Sequence, residues 1–441
     1  MTIKDTEIFS LIEKEKLRQS EGLELIPSEN YVSEAVLEAL GSILTNKYSE
    51  GFPGKRYYGG NQYIDEIETL ANERIKKIFG FEYVTVQPHS GSPANFAIYL
   101  AICEPGDTFM GLNLTDGGHL THGWKMSATS MFYKSVPYHV KADGRIDMEE
   151  VERLAKEFKP KFIWSGATAY PFIIDFKRFG EIADEVGAYH VADIAHIAGL
   201  IAAGEHPSPV EHAHLVTSTT HKTFRGPRGG FIGITKKGLE KDPELISKIE
   251  KAIIPGFQGG PHNHQTAAIG VAAGEVLSPE FKEYGSQIVK NAKVLAETLQ
   301  KGGIRLIGNG TENHLLLIDL TPITGPGGGV FGSEALEAAG MTANKNTIPS
   351  EPCSPFFPSG IRLGTPALTT RGMKEDEMKK VGEWIVRALS EIKLYNLPEK
   401  KEERKEYIAK AKKEIFANHK LIEIKKEIKT FCANYPVPGI D

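Results

Sequence analysis

A lysine at position 222 stands in an unusual place for this residue type. It lies within residues 218–230, directly after an apolar run at 215–217 and before a glycine-rich turn. A lysine that is partly removed from water shifts its pKa readily, which suits it to Schiff-base chemistry. The ordinary alternative is a lysine at the end of a strand that reaches solvent, because lysine is rarely fully buried. Three further segments favour the reactive role.

The first of these segments, residues 189–196, runs through apolar residues to Asp193 and then to His196. In an alternating β/α chain, side chains at the carboxyl ends of strands line the ligand crevice. An aspartate there can pair with a protonated ring nitrogen. Such an aspartate, together with a Schiff-base lysine, is what pyridoxal phosphate chemistry requires of a protein. The simpler alternative is that Asp193 caps a helix that begins at Ile194.

The second segment, residues 89–95, follows a β-type run at 83–86 and precedes a predicted helix at 94–102. Backbone amides and hydroxyl groups at the start of a helix bind anions. Pro93 is compatible with the first helical turn, where its missing N–H is not needed. Many turns resemble this one, but its position between strand and helix predicts a phosphate cradle. The cradle would consist of Ser90, Gly91 and Ser92.

The third segment, residues 359–366, presents one arginine, Arg362, among small residues. A guanidinium group in such surroundings can approach a carboxylate with two parallel hydrogen bonds. An ordinary surface arginine is the alternative reading of this segment taken alone.

Taken together, these segments resemble the serine hydroxymethyltransferase family, from about Leu25 to Gly372 and more faintly at Phe431 and Cys432. The stretches at 46–60, 117–123, 256–261 and 344–349 carry the same resemblance, in the family's order. The implied reaction is the reversible transfer of the serine hydroxymethyl carbon to tetrahydrofolate, which gives glycine and methylenetetrahydrofolate. The implied cofactor is pyridoxal 5'-phosphate.

The resemblance implies a role for each matched residue around the cofactor. Lys222 should hold the cofactor, and Asp193 should keep its ring nitrogen protonated. The other expected cofactor contacts are Ser90, Gly91 and Ser92 at the phosphate, His119 stacked on the ring, Thr168, and His196 at the phenolic oxygen. Tyr48, Gly259 and Gly260 should contribute from the neighbouring subunit, which implies a homodimer. Thr219 and His221, which precede the lysine in the same segment, complete the expected catalytic set with Glu50 and Tyr58.

The resemblance also implies the contacts of both substrates. Arg362, aided by Ser28, should bind the substrate carboxylate, and Tyr58 should support the reacting centre. Glu50 is expected to transfer protons. The alternative is a solvated loop carboxylate, because most glutamates are exposed. The tyrosines and glycines around Glu50 make that alternative less favourable. The expected folate contacts are Glu50, Tyr57, Leu114, Gly118, Leu120 and Asn346.

Several positions depart from the family pattern, and two other functions stay open. The departures are Pro93, Asp116, Thr168, Phe172 and an apparent insertion at 325–330. Phe172 and Asp116 leave the pterin and polyglutamate preferences open. One alternative is a folate-independent aldolase for threonine or another β-hydroxy amino acid, against which the Glu50 loop and the Asn346 segment count. The other is a non-catalytic protein that retains the fold.

Composition limits the classes of partner and the compartment. Of the 441 residues, 40% are hydrophobic and 25% are charged, and the net charge is −5, so no general attraction to nucleic acid is expected. Cys103, Cys353 and Cys432 show neither metal spacing nor a disulfide framework. The charged start and the lack of a long apolar run predict neither a signal peptide nor a membrane span. We expect a cytoplasmic protein without metal, nucleic acid or membrane partners.

The elements that must position these side chains follow from the spacing of apolar residues. Short apolar runs alternate with helical patterns from about 83 to 234, which predicts a mostly parallel sheet covered by helices. The family resemblance implies the aminotransferase-like fold of pyridoxal enzymes, with a seven-stranded type of sheet. We predict a large cofactor-binding domain with an N-terminal arm at 1–277 and a smaller α+β domain at 278–441, with Ser278 and Pro279 as the boundary signal.

Overall fold

The bounds of the helices and strands come from a computed structural model, which describes residues 5–440. The strands are β1 (Leu23–Glu24), β2 (Gly51–Phe52), β3 (Lys55–Arg56), β4 (Tyr83–Thr85), β5 (Thr108–Leu112), β6 (Lys134–Tyr138), β7 (Phe162–Ser165), β8 (Tyr189–Asp193), β9 (Leu215–Thr219), β10 (Gly230–Ile234), β11 (Arg305–Leu306), β12 (Leu315–Asp319), β13 (Met341–Thr342), β14 (Asn344–Asn346) and β15 (Gly360–Gly364). The helices are α1 (Thr6–Glu21), α2 (Glu34–Leu40), α3 (Gln62–Phe79), α4 (Gly91–Ile102), α5 (Ala128–Phe132), α6 (Met148–Phe158), α7 (Phe176–Glu185), α8 (Ala198–Ala203), α9 (Lys236–Lys241), α10 (Leu245–Ile253), α11 (Asn263–Val276), α12 (Pro279–Lys301), α13 (Thr321–Thr324), α14 (Gly329–Ala338), α15 (Pro366–Thr370), α16 (Glu375–Ser390), α17 (Lys401–Phe416) and α18 (His419–Cys432).

A seven-stranded sheet in the order β4-β10-β9-β8-β7-β5-β6 forms the centre of one compact unit, Val32–Ser286. The five strands β5 to β9 run parallel to one another, and β10 runs antiparallel to both β9 and β4. The mostly parallel sheet and its strand number are as predicted. The direction of β10 follows from its connection, because parallel neighbours require a crossover of a dozen or more residues, and β10 returns after the short glycine turn.

The core on one face of this sheet is aromatic. Tyr99 on α4 packs edge-on against Phe109 and Phe162, with ring centroids 4.9 and 5.0 Å apart. The hydroxyl of Tyr99 accepts a hydrogen bond from the indole N–H of Trp164 at 2.9 Å. Because buried polar groups need partners, this bond lets two large polar-tipped side chains fill the core. The helix that begins beside the predicted cradle is thereby held firmly against the sheet.

The second unit contains a four-stranded antiparallel sheet in the order β11-β12-β15-β14. Its helices bury the residues whose spacing predicted them: Ile288, Ala292, Leu295 and Leu299 on α12, and Met378, Val381, Ile385 and Ala388 on α16. The lysine- and glutamate-rich region after 399 forms α17 and α18, which are mostly exposed but bury Ile415, Ile424 and Ile428.

The division between the units differs from the prediction of 1–277 and 278–441. Residues 5–31 group with residues 287–440, and the other unit ends at Ser286; residues 1–4 and 441 lie outside the described residues. The physical reason is the pairing of β1 with β13 in a parallel ladder. Leu23 and Leu25 are fully buried in the C-terminal core. The β1 part of the expected N-terminal arm therefore belongs to the core of the smaller unit, whereas α1 buries none of its residues.

Within residues 5–440, every helix is too short or too polar to traverse a lipid bilayer.

Candidate active site

Lys222 and Asp193 follow neighbouring parallel strands. Asp193 ends β8 and aligns with Thr217 of β9, and Lys222 lies just beyond the end of β9. The lysine side chain does not reach out into solvent, because the residue is only 8% exposed. The turn that holds it is closed by a hydrogen bond of 2.6 Å from the hydroxyl of Thr220 to the carbonyl of Pro227. The structure therefore places a buried lysine at the edge of the sheet where parallel strands present ligand-binding side chains.

Asp193 is held by three hydrogen-bond donors. Oδ2 accepts from the Asn95 side chain at 2.8 Å and lies 3.1 Å from Nε2 of His122, and Oδ1 accepts from the backbone N–H of Ala195 at 3.0 Å. Burial alone would raise the pKa of this carboxyl, but the His122 hydrogen bond and the nearby positive charges outweigh burial and hold the pKa well below its usual range. The next helix begins only at Ala198, so Asp193 is not its N-cap. A buried carboxylate remains ionised here.

His122 and Asn95 hold this carboxylate in place, although neither residue was predicted to have a role. The ring of His122 stacks on Trp164, with centroids 4.8 Å apart and planes 19° apart. Asn95 lies on the first turns of α4, and its Oδ1 accepts from the hydroxyl of Thr217 at 2.6 Å. Both residues fall inside stretches that carried the family resemblance, at 117–123 and 89–95. The signal that could have found His122 is its spacing of one turn from His119 in a glycine-bounded segment.

His119 is a neutral imidazole. The backbone N–H of Thr121 donates to its Nδ1 at 3.2 Å, and the Thr121 hydroxyl lies 2.7 Å from the same atom. Nδ1 therefore accepts, and the ring proton is on Nε2. Burial, followed by the positive field of His122, lowers the pKa of His119 to about 4. A neutral flat ring suits stacking against an electron-poor aromatic ligand.

The ligand-type atoms of His119, His122 and Asp193 all lie within 4.8 Å of one another, which is a spacing that could hold a metal ion. However, His122 and Asp193 are already hydrogen-bonded to each other, and His119 Nδ1 is occupied by Thr121. These hydrogen bonds stabilise the charged carboxylate and occupy atoms that a metal ion would need as ligands.

The predicted cradle lies at the start of α4. Ser90 has an extended backbone, its side chain does not cap the helix, and the first helical hydrogen bond runs from Ala94 N–H to the Ser90 carbonyl at 3.1 Å. The helix begins at Gly91, three residues earlier than predicted. A Cβ at Gly91 would lie 2.7 Å from Cγ2 of Thr219, so only glycine fits against the end of β9. The first turn of α4 therefore lies against the end of β9, the strand that precedes Lys222. The first amides of a helix lack partners within the helix, which suits them to binding an anion.

Glu50 and its neighbours form an exposed aromatic group. The Tyr48 hydroxyl donates to Oε1 of Glu50 at 3.1 Å, and the rings of Tyr48 and Tyr58 meet edge to face at 4.9 Å. Added Cβ atoms at Gly259 and Gly260 would lie 3.1 Å from Glu50 Oε1 and 3.2 Å from Tyr48 Cζ. Tyr48, Tyr57 and Tyr58 are 52%, 76% and 47% exposed. The predicted residues of the 46–60 and 256–261 stretches are thus gathered into one group.

The loops after β5 and β7 are tied together. The Thr168 hydroxyl donates to the carbonyls of Gly117 and Gly118 at 3.1 and 3.2 Å. A Cβ at Gly118 would lie 1.9 Å from the Leu112 carbonyl oxygen, which explains the glycine. Leu114 and Asp116 bound a short turn in this loop, and Leu120 is half-exposed. The predicted folate contacts in this region therefore lie on one connected surface loop.

Two histidines next to the lysine and aspartate segments are buried or half-buried. His196 is buried, and its carbonyl accepts from the Thr223 hydroxyl at 3.0 Å. Burial, followed by the charge of Lys222, lowers the pKa of His221 to about 3. The Thr219 hydroxyl donates to the Ala195 carbonyl at 3.4 Å. His221 is therefore uncharged near neutral pH.

Arg362, Ser28 and Asn346 belong to the other unit. Arg362 lies on β15, is buried, and donates from Nε to Oδ1 of Asn344 at 3.1 Å. Burial lowers its pKa to about 10, so it stays a cation near neutral pH. A Cβ at Gly364, on the same face of β15, would lie 2.4 Å from Pro27, the neighbour of Ser28. Asn346 lies on the adjoining strand β14 and donates to the Thr347 carbonyl at 2.7 Å.

The residues of the unit Val32–Ser286 fit a phosphorylated pyridine aldehyde. They provide an anion cradle into which a Cβ would not fit, an ionised buried carboxylate, a neutral histidine ring and a buried lysine. These are the groups that pyridoxal phosphate requires for its phosphate, its ring nitrogen, its ring face and its aldehyde.

Comparisons with known proteins agree with this geometry. A family model described as serine hydroxymethyltransferase matches residues 1–385. The chain is 51% identical over 442 residues to a serine hydroxymethyltransferase of Acidothermus cellulolyticus, covering 100% of this chain and 97% of the relative. It is 51% identical over 437 residues to a serine hydroxymethyltransferase of Sorangium cellulosum, covering 99% and 96%.

These matches extend over nearly the whole chain, and they support the transferase rather than the aldolase alternative. The fold, the buried lysine and the ionised aspartate are consistent with that result. The chain belongs to the serine hydroxymethyltransferase family, whose members are pyridoxal-phosphate-dependent transferases of one-carbon metabolism that use tetrahydrofolate.

Proposed function

We propose that the transfer of the serine hydroxymethyl carbon to tetrahydrofolate, the reaction of this family and of this chain, depends on Lys222 and Asp193 in the unit Val32–Ser286. The observation that carries the proposal is the buried lysine near a carboxylate that His122 keeps ionised and that Asn95 also holds by a hydrogen bond. A lysine that forms a Schiff base and a carboxylate that pairs with the ring nitrogen are what pyridoxal phosphate chemistry requires of a protein.

Each group would act on a different part of the bound cofactor. Pyridoxal phosphate, when bound, draws electrons from the bond that breaks at the amino-acid α-carbon. Lys222 would hold the cofactor covalently, and Asp193 would hold a proton on the ring nitrogen. The neutral His119 ring would stack on the cofactor. The remaining proposed contacts are Ser90, Gly91 and Ser92 at the phosphate, and Thr168, His196, Thr219 and His221 around the ring and the lysine.

A positive charge would orient the amino-acid substrate, and one carboxylate would transfer protons in the reaction. Arg362, which stays cationic despite its burial, would bind the substrate carboxylate with Ser28 nearby. Glu50 would hold or move a proton at the hydroxymethyl group and at folate, supported by Tyr58. The proposed folate contacts are Glu50, Tyr57, Leu114, Gly118, Leu120 and Asn346.

The functional form would be a homodimer in the cytoplasm. Tyr48, Gly259 and Gly260 would serve the site of the neighbouring subunit, and the exposed tyrosines at 48, 57 and 58 supply apolar surface that an interface would cover. Two-fold dimers are the commonest oligomers of this kind. The free cysteines Cys103, Cys353 and Cys432 support a reducing compartment.

Replacement of the lysine tests the core of this proposal. Lys222→Ala should abolish the cofactor adduct that borohydride reduction fixes on the protein, and peptide mapping of the reduced wild type should place the adduct on Lys222. Lys237→Ala is the matched control, because Lys237 lies in the same unit and pairs with Asp184. It should keep both the adduct and the conversion of serine to glycine. An adduct mapped to another lysine would contradict the assignment.

A further inference from the structure

The backbone on both sides of Glu50 is held by one buried arginine. Nη1 of Arg56 donates to the carbonyl of Ser49 at 2.9 Å and to the carbonyl of Gly51 at 2.7 Å. The carbonyl of Glu50 itself accepts from the backbone N–H of Tyr57 at 3.0 Å. Three successive peptide carbonyls are therefore engaged, while the Glu50 side chain accepts a hydrogen bond from the Tyr48 hydroxyl.

Asn263 holds the same segment closer to its N-terminal end, at Lys47 and Ser49. The Asn263 side chain, 3% exposed at the start of α11, donates to the carbonyl of Lys47 at 2.6 Å. Its Oδ1 accepts from the hydroxyl of Ser49 at 2.6 Å. Residues 47, 49 and 51 are thus anchored, and Tyr48 and Glu50, whose side chains are hydrogen-bonded to each other, lie between them.

Arg56 is itself fixed by two carboxylates. Its Nε lies 2.8 Å from Asp65, and its Nη2 lies 2.6 Å from Glu68, with the side chains of Arg56 and Glu68 only 4% and 1% exposed. Glu68 also accepts from Gln87 at 2.7 Å. Burial raises the pKa of Glu68, against the opposing effect of Arg56.

A buried ion pair is a weak means of stabilising a fold, because desolvation can exceed the attraction. The planar fork of arginine does, however, fix several acceptors in one geometry. Here that fork joins two carboxylates of one helix to the two peptides that flank Glu50. The arrangement is therefore suited to fixing a position rather than to adding stability.

We infer that Arg56 and Asn263 are positioning residues that hold Glu50 and Tyr48 in the geometry the reaction needs. The inference rests on the proposed role of Glu50 in proton transfer. Proton transfer requires heavy atoms within hydrogen-bond reach, so a loop free to move would spend little time in the reactive arrangement. Neither residue needs to touch a substrate for this role.

A double-mutant cycle separates positioning from general stabilisation. Arg56→Lys keeps a positive charge for Asp65 and Glu68 but loses the fork. We expect this variant to lower kcat for folate-dependent serine cleavage by about a hundredfold, the scale of a small misplacement, with little change in KM for serine. The cofactor absorbance and the unfolding midpoint should persist. In Arg56→Lys/Glu50→Gln, the rate should equal that of Glu50→Gln alone, because the two residues act through one group.

The possible outcomes distinguish a failure of the positioning role from a failure of the proposed role of Glu50. A double variant whose loss is the product of the two single losses would overturn the positioning role. If Glu50→Gln alone leaves the rate unchanged, the proposed function of Glu50 fails, which is a separate result. If Arg56→Lys does not fold, Asn263→Asp enters the same cycle, since it loses the donor to Lys47 and keeps the acceptor for Ser49.

The matched control is Arg74→Lys. Arg74 lies on the same helix as Asp65 and Glu68 and donates from Nη1 to the carbonyl of Gly270 at 2.6 Å, but it does not engage the Glu50 segment. Its folate-dependent rate should stay at the wild-type value. A hundredfold loss in this control as well would show that any arginine fork of the unit affects turnover, and would overturn the inference.

Discussion

The charge of Asp193 is set by its immediate neighbours. A carboxylate in an apolar interior tends to gain a proton, since burial disfavours its charged form. The hydrogen bond and charge of His122, with other positive charges nearby, reverse that tendency and hold the pKa of Asp193 below its ordinary range, and Asn95 supplies a further hydrogen bond to the same oxygen. An ionised Asp193 can stabilise a protonated ring nitrogen, whereas a neutral one could not.

Removing the histidine partner should therefore weaken cofactor binding. A hydrogen bond to a charged group contributes about 1.5–3 kcal/mol, so His122→Phe should lower the affinity for pyridoxal phosphate by about tenfold to a hundredfold. Equilibrium titration of the apoenzyme, followed by absorbance, measures this. His139→Phe, at a half-exposed site paired with Glu150, should leave the affinity unchanged. An unaltered affinity in the His122 variant would show that the hydrogen bond from His122 to Asp193 does not support cofactor binding.

Glu50 permits a second prediction about a single side chain. A group that acts in the transition state affects turnover more than ground-state binding. Glu50→Gln should keep the cofactor absorbance and bind glycine, yet lose about 10²–10⁴-fold of the folate-dependent serine cleavage. Loss of the cofactor absorbance would instead assign this loop a structural role.

At the level of elements, the site depends on how strand ends meet helix starts. β8 and β9 are parallel neighbours, so the groups that follow them lie side by side. The start of α4 lies against the end of β9 through Gly91, where a side chain would displace Thr219. The cradle is therefore close-packed against the strand that leads to Lys222.

Filling that contact should disturb the phosphate site. In Gly91→Ala, the new Cβ would lie 2.7 Å from Thr219, and overpacking of this kind costs about 1–3 kcal/mol. We expect a lower unfolding midpoint and weaker cofactor binding. Gly41→Ala is the control, because its nearest atom would be 3.6 Å away. Equal behaviour of the two variants in thermal unfolding and cofactor titration would contradict the close packing.

At the level of the whole molecule, buried histidines make stability depend on pH. His190 is fully buried; its Nε2 lies 2.7 Å from the Ser165 hydroxyl and its Nδ1 lies 3.0 Å from the His212 carbonyl. His214 accepts from the His190 backbone N–H at 2.9 Å. Burial lowers the pKa of His190 to about 3 and that of His214 to about 4.

These lowered pKa values predict acid sensitivity. In the unfolded chain the histidines bind protons near pH 6.5, whereas the folded chain keeps them neutral. Their contribution is complete above that pH and is lost as the pH falls toward 4, at about 1.4 kcal/mol per pH unit for each histidine. Urea unfolding from pH 7 to pH 4.5 measures the slope. His214→Asn should reduce it, and an unchanged slope would assign the acid sensitivity to other groups.

The proposal that each active site contains residues of two subunits can be tested with hybrid dimers. Lys222→Ala and Tyr48→Phe homodimers should each be impaired. A hybrid of the two should regain activity, because one of its sites then has both native residues. Activity of hybrids isolated with two affinity tags measures this. Hybrids that stay as impaired as their parents would indicate a site made by one subunit alone.

The chemistry could be predicted from the sequence, because the groups that define it lie in short local segments that occur in the family's order. Each segment had an ordinary alternative when taken alone: Lys222 after an apolar run, Asp193 at a strand end, and the Ser90–Ser92 turn before a helix. Their occurrence together carried the resemblance. The alternating apolar runs likewise predicted the mostly parallel sheet. Local spacing is sufficient there because strand ends and helix starts are set within a few residues.

The distant groups that support this chemistry could be identified only in the folded chain. Asn95 and His122 bind Asp193, and Arg56 and Asn263 anchor the Glu50 loop, through contacts between residues that are far apart along the chain or belong to different elements. Residues 5–31 join the C-terminal unit for the same reason, since β1 pairs with β13. Such contacts arise when packing buries apolar surface from separate segments together, so they are properties of the folded chain and not of any one segment.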